Sequence, residues 1–286
     1  MNIRQAVVQL TVACLMLGIA LAPPGAADAV SESPFLFVVD DDGGLEQSGL
    51  ADHRTLYARA VRTAADKGAH AVALKFFFTD SRPAIDAGLT AAFGDVPVYL
   101  QFALVGQAAA NAPERLPQGS FFPAQDAGDR AYHAARDSEF PNAALQAAAA
   151  GLGFVDVIEP FDKNQIGMVG SYPTGTAKSM VLTLLETQFG PSELKDGSLI
   201  SNGKTLALDK QGRVACDIET VPALNTTPLR DFAGIDPARV TGKTVVIGYV
   251  GERAPRLSTG WFSSMSVHEL FFARLSCLAD LLGQPG

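Results

Sequence analysis

Three apolar runs in this chain end abruptly in charge. Residues 35–39 (FLFVV) run into Asp40-Asp41-Asp42-Gly43-Gly44, residues 71–78 (AVALKFFF) are followed by Asp80-Ser81-Arg82, and residues 245–250 lead into Gly251-Glu252-Arg253. Carboxylates in such places accept donors from a ligand, hold a buried cation, or take a hard divalent cation through oxygen. Lys75 lies inside the second run, where a lone charge is costly. An ion pair with Asp40 or Asp42 would relieve that cost; a structural pair and a ligand-contacting lysine are both open. Arg54 and Lys75 are the side chains suited to an anionic group. Asp40, Asp42, Arg54, Lys75 and Asp80 are therefore the candidate ligand-binding residues. No catalytic residue, metal ligand or cofactor is assigned.

Other motifs fail on inspection. Gly203-Lys204-Thr205 and Gly242-Lys243-Thr244 look like the end of a phosphate-binding loop, but Leu199 and Ala238 stand where its first Gly belongs. The histidines, His53, His70, His133 and His268, lack metal-ligand spacing and read as scattered surface or core residues. Gly-x-Ser-x-Gly is absent, so no nucleophile elbow is supported. The acid spacing after Asp40 does not fit a calcium loop.

The elements that would position the candidates alternate between strand and helix. Strands are expected at 35–39, 71–78 and 96–103, with helices around 56–64, closed by Gly68, and at 84–93. That order implies a largely parallel or mixed sheet flanked by helices, where ligands collect beyond the carboxyl ends of the strands. Residues 106–139 are Ala-, Pro- and Gln-rich with poor periodicity, and a short Ala-rich helix opens at Pro141 and closes at Gly151. Residues 153–158 and 165–170 read as a hairpin, and 176–189 as a helix apolar on most sides. Short strands at 198–200, 206–208 and 214–218, joined by Asn202-Gly203 and Gln211-Gly212 turns, suggest a β-rich insert in the second half. A buried strand at 245–250 and a final helix complete one α/β domain.

The first 29 residues read as a secretory leader: a basic start, an apolar stretch from Ala6 to Ala22, and Ala27-Asp28-Ala29 as the cleavage signal. Retention as an anchor is the rival reading, because the stretch is only a little short of a ~20-residue span. Cleavage near Ala29 leaves about 257 residues, 30–286, as a single domain in the periplasm or outside the cell. The net charge of −8 and the lack of a Lys/Arg cluster argue against nucleic acid and anionic membranes as partners. Cys216 and Cys277 are then the remaining cysteines, open to pairing in an oxidising compartment or to a role as buried thiols.

Several pieces occur in a suggestive order: FLFVVDDDGG, Arg54 with Tyr57-Ala58, KGAHAVALKFFFTDSRP, AALQAAAAGLGFVDV, SMVLTLLE, LDKQGRV, TGKTVVIGYVG and SVHEL. In that order, from about Phe35 to Leu282, the chain resembles a CHASE domain of type 2, the extracellular sensory domain of bacterial signalling proteins. Lys75 stands where that family tends to place an acid. The resemblance implies an α/β fold and a non-catalytic sensor binding a small molecule or a membrane signalling protein, with a homodimer as one option. A carboxylate- or metal-dependent periplasmic hydrolase and a structural partner domain that has lost its ligand are the alternatives.

Overall fold

The computed structural model describes residues 33–43, 52–105, 119–122, 137–155, 164–172, 175–220, 224–256 and 265–283. The expected leader with its cleavage site, most of the 106–139 excursion and the turn at 160–163 lie outside the described residues.

The described strands are β1 (Phe35–Asp40), β2 (Ala71–Leu74), β3 (Val98–Val105), β4 (Phe121–Phe122), β5 (Asp137–Glu139), β6 (Gly151–Val155), β7 (Gln165–Gly167), β8 (Val169–Tyr172), β9 (Gly175–Lys178), β10 (Glu193–Lys195), β11 (Ser198–Ser201), β12 (Lys204–Ala207), β13 (Arg213–Ala215), β14 (Thr226–Pro228) and β15 (Thr244–Tyr249). The α-helices are α1 (His53–Asp66), α2 (Pro83–Ala92), α3 (Ala143–Ala148), α4 (Met180–Phe189) and α5 (Val267–Gly283).

Strands β14, β1, β15, β2, β3 and β6 lie side by side in that order, all parallel, and β5 pairs antiparallel with the end of β3. Every residue of β1 and β2 is buried, as expected where helices cover both faces of a sheet. Strand alternation then sorts side chains by parity. Leu36, Val38, Val72, Leu74, Val245 and Ile247 pack with Leu56 and Val61 of α1, Leu89 of α2 and Leu145 of α3. Phe35, Phe37, Val39, Ala73 and Val246 face the other way, onto Leu182 and Leu185 of α4 and Phe272, Leu275 and Leu278 of α5.

Local signals set the helix boundaries. Asp52 caps α1 by accepting the Arg54 N–H at 2.7 Å, and the helix stops two residues before Gly68, which holds φ +76°. Ser266 and Glu269 form a reciprocal capping box at the start of α5: the Glu269 N–H donates to Ser266 Oγ at 3.1 Å, and the Ser266 N–H donates to the Glu269 carboxylate at 2.6 Å.

The α/β class is as expected, but four details differ. Strand β2 ends at Leu74, so Lys75 is the first residue beyond it rather than inside a longer strand. The expected hairpin of 153–158 with 165–170 does not form: β6 joins the central sheet beside β3, and β7 pairs with β13. Apolarity on every side of 151–155 is the mark of a parallel strand covered on both faces rather than a hairpin arm. Third, α4 starts only at Met180, because Gly175–Lys178 is a strand between β4 and β8. Finally, the β-rich second half consists of small separate sheets, including the β10-β11-β12 meander, whose second turn has Asn202 at φ 48° and Gly203 at φ +73°.

Cys216, just past β13, forms a disulfide with Cys277 of α5, with Cα atoms 6.3 Å apart and a sequence separation of 61. It ties the small-sheet region to the last helix. In the chain-entropy view, closing a loop of that length stabilises by on the order of 4 kcal/mol. The Cys216→Ala/Cys277→Ala double variant should therefore lose up to about 4 kcal/mol in urea unfolding. Unchanged stability in the variant, or an unchanged midpoint after reduction, would show that the link does not hold the fold.

Candidate functional site

Strands β1 and β15 are neighbours, yet their carboxyl ends lead to opposite faces of the sheet. The chain after β1 goes to α1 on one face, and after β15 to α5 on the other. Neighbouring strands that part in this way leave a crevice at the sheet edge, the usual ligand position in open α/β sheets. A cavity of about 830 Å³ lies there, within the range of small-molecule sites. Arg54, Lys75, Asp42 and Asp80 of the candidate residues line it; Asp40 does not.

Asp40 shares its parity with Leu36 and Val38 and so points toward α1. It is fully buried, 2.9 Å from His53 Nδ1, and accepts a hydrogen bond from Tyr57 Oη at 3.0 Å. Burial, reinforced by the Asp40 charge, pushes the Tyr57 phenol above its ordinary range, so Tyr57 stays a donor. His53 and Tyr57 both line the cavity, which makes Asp40 the support behind two wall residues.

Asp42 closes the rim. It adopts φ 70°, accepts from Tyr249 Oη at 2.7 and 2.9 Å, and accepts the Glu252 N–H at 3.0 Å. Burial, followed by the bond to Asp42, raises the Tyr249 pKa. The turns after β1 and β15 are thereby latched together. Gly251 makes this possible, since a Cβ there would stand 2.1 Å from Asp42 Oδ2.

Arg54 is buried and already paired. It donates to Asp86 at 2.5 Å, to the Asp80 carboxylate and to the Asp80 carbonyl at 3.0 Å. Arg82 holds Asp80 at 2.6 Å and Asp52 at 2.5 Å, and together with Arg54 it draws the Asp80 carboxyl below its usual range. Asn142 donates to Asp86 and to the Asp80 carbonyl, both at 3.1 Å. This cluster ties α1 and α2 to the segment after β2.

Lys75 has the opposite parity to Asp40 and stands toward α5. The expected ion pair with Asp40 or Asp42 does not form, because Asp40 points to the other face and Asp42 is held at the rim by Tyr249. Lys75 is 6 % exposed, with Nζ 4.8 Å from the centre of the Phe271 ring. Burial, assisted by the nearby Arg274 charge, lowers its pKa to about 7. His268, one helical turn before Phe271, accepts the Tyr249 N–H on Nδ1 at 3.2 Å. Its pKa is lowered to about 3 by burial and then by Lys75, so it is a neutral imidazole.

The walls are apolar. Tyr57 stacks on Phe76 at 4.3 Å, and Phe76 stands 6.1 Å from His268 across the sheet edge. Gln101 of β3 is buried at the wall with no hydrogen-bond partner for Oε1. Among the described residues, no group of three or more His, Cys, Asp or Glu side chains converges as a metal centre requires. Of the scattered histidines, part-exposed His53 and buried His268 both stand in the cavity wall. The i, i+3, i+6 spacing of His268, Phe271 and Arg274 carried that signal, as did Gln101 alone in the run VYLQFALV.

Residues 20–282 match the family model described as CHASE2 domain. No curated protein and no solved structure matches the chain.

Two variants separate the roles of the basic residues. Arg54→Met strands the buried Asp86 carboxylate and should cost about 3–5 kcal/mol in chemical denaturation. Lys75→Met should do the reverse. The unfolded lysine titrates near 10.5 and the folded one near 7, so between those pH values the unfolded state holds more protons. Stability attributable to Lys75 therefore rises with pH across that window. Urea midpoints at pH 7 and pH 10 should show Lys75→Met to be the more stable protein at pH 7, with a smaller gain on raising the pH. An equal pH response in both proteins would contradict the assignment.

Proposed function

The chain belongs to the CHASE2 domain family, a family of extracellular sensory domains, and on that premise we propose that it is an exported, non-catalytic sensor domain that binds a small molecule at the carboxyl edge of its parallel sheet. In this reading the leader is removed near Ala29 and the mature domain works in the periplasm or outside the cell, reporting to a membrane signalling partner. The observation that carries the proposal is the cavity where β1 and β15 part company, with aromatic and aliphatic walls and few polar groups. Polar groups at the mouth are already joined to one another: Asp42 to Tyr249, Asp80 and Asp52 to Arg82, Arg54 to Asp80. Such a pre-formed rim favours holding a ligand over moving protons. No helix among the described residues is long and apolar enough to cross a membrane.

Thermal-shift screening of residues 30–286 against metabolites tests this directly. A ligand at a hundredfold excess over its Kd adds about 2.7 kcal/mol of stability. Val267 stands half-buried at the cavity wall, and Val267→Trp should narrow the space and abolish the shift. The proposal fails if no compound shifts the protein, if Val267→Trp responds like the parent, or if a bound compound is chemically converted.

A further inference from the structure

The other buried ion pairs of this molecule give a rule from which Lys75 departs. Buried Arg54 has Asp86 and Asp80; buried Lys178 has Glu186, at 2.8 and 3.0 Å. Lys75 is buried as deeply, and among the described residues no carboxylate or hydrogen-bond acceptor meets its Nζ. Its charged neighbour is Arg274, of its own sign. A basic group placed in an apolar wall without a counter-ion is costly unless a partner arrives from outside.

The titratable groups sharing the cavity do not supply that partner. His268 of α5 is basic, and its Nδ1 is taken by the Tyr249 N–H. His53 and Tyr57 of α1 are turned to Asp40. The rim acids Asp42, Asp52 and Asp80 are committed to Tyr249 and Arg82. Gln101 extends the β2–β3 register by one step beyond Leu74–Leu100, which brings it level with Lys75 on the α5 side of the sheet. Its Oε1, an acceptor without a partner, lies at the same depth and is placed to accept from a Lys75 ammonium rather than from an anion.

Resting on the reading of this cavity as a ligand site, we propose that the ligand is an organic monocarboxylate whose apolar body fills the aromatic walls and whose carboxylate is held by the Lys75 ammonium, which Gln101 Oε1 supports by accepting a second of its protons. The carboxylate is favoured over a phosphate because Lys75, the wall lysine that no described carboxylate meets, supplies one positive charge to an otherwise apolar wall and so balances a single negative charge. Binding then carries a proton in from solvent. Lys75, largely neutral above pH 7 in the empty cavity, takes up one proton as the anion arrives and forms the ammonium–carboxylate pair.

The test uses matched probes on the 30–286 protein: hexanoate, octanoate and phenylacetate against their primary amides, with inorganic phosphate as a bare anion. At least one carboxylate should bind tenfold or more tightly than its amide at pH 7. Titration calorimetry at pH 8 in buffers of different ionisation enthalpy should show proton uptake. Lys75→Met, which is expected to fold, should lose tenfold or more in carboxylate affinity and abolish the uptake, so that the preference for acid over amide disappears. The proposal is overturned if amides bind as well as acids, if phosphate alone binds as tightly as the acids, or if Lys75→Met keeps full carboxylate affinity. It is also overturned if no carboxylate binds. In each of these cases a neutral compound that stabilises the parent protein but not Val267→Trp would leave the sensor reading standing.

Discussion

The insertion of β15 between β1 and β2 is the constraint on which the rest of this molecule depends. Without it, β1 and β2 would be direct neighbours joined by an ordinary crossover, and their carboxyl ends would turn to one face. With it, α1 and α5 leave adjacent strands in opposite directions and a crevice opens between them. Close packing along β15 keeps that crevice narrow: a Cβ at Gly248 would stand 2.7 Å from the Phe272 ring and 2.9 Å from His268 Nδ1. The glycine lets α5 lie against the strand and brings His268, Phe271 and Arg274 to the wall.

Charge is divided across the same edge. On the α1 side and at the rim, acids and bases are matched into closed groups, which add specificity and rigidity more than net stability. On the α5 side the cavity wall carries Lys75 and Arg274, and no described carboxylate meets Lys75. The two halves differ because strand parity sends Asp40 and Lys75 to opposite faces, although both follow apolar runs of similar type. A single-residue shift of either strand would exchange those faces.

Much of this was legible in the sequence. Continuous apolar runs marked the parallel strands, and the charged residues that end them marked the edge where the cavity lies. Lys75 was recognisable as costly, but its partner was not. Proximity in a parallel sheet depends on strand order, and nothing local reveals that a strand from residues 244–249 separates 35–40 from 71–74. Tyr249 and Gly251 were visible as a turn, while their contact with Asp42 arises only once that order is set. The 153–158 and 165–170 segments misled for a related reason: closeness in sequence suggests a hairpin, whereas an all-apolar strand gains more by burial beside β3.

The late arrival of β15 also bears on how the chain reaches this state. During synthesis, β1 and β2 have no mutual contact to make, and their facing edges stay unpaired until residues 244–249 have emerged. The nucleus of the sheet is thus non-local, joining segments some two hundred residues apart, and such topologies fold slowly. A ribosome-bound chain shorter than this has an open sheet edge in its middle and a strong reason to remain unfolded. Full compaction of the sheet becomes possible only once residues 244–249 are free to join it.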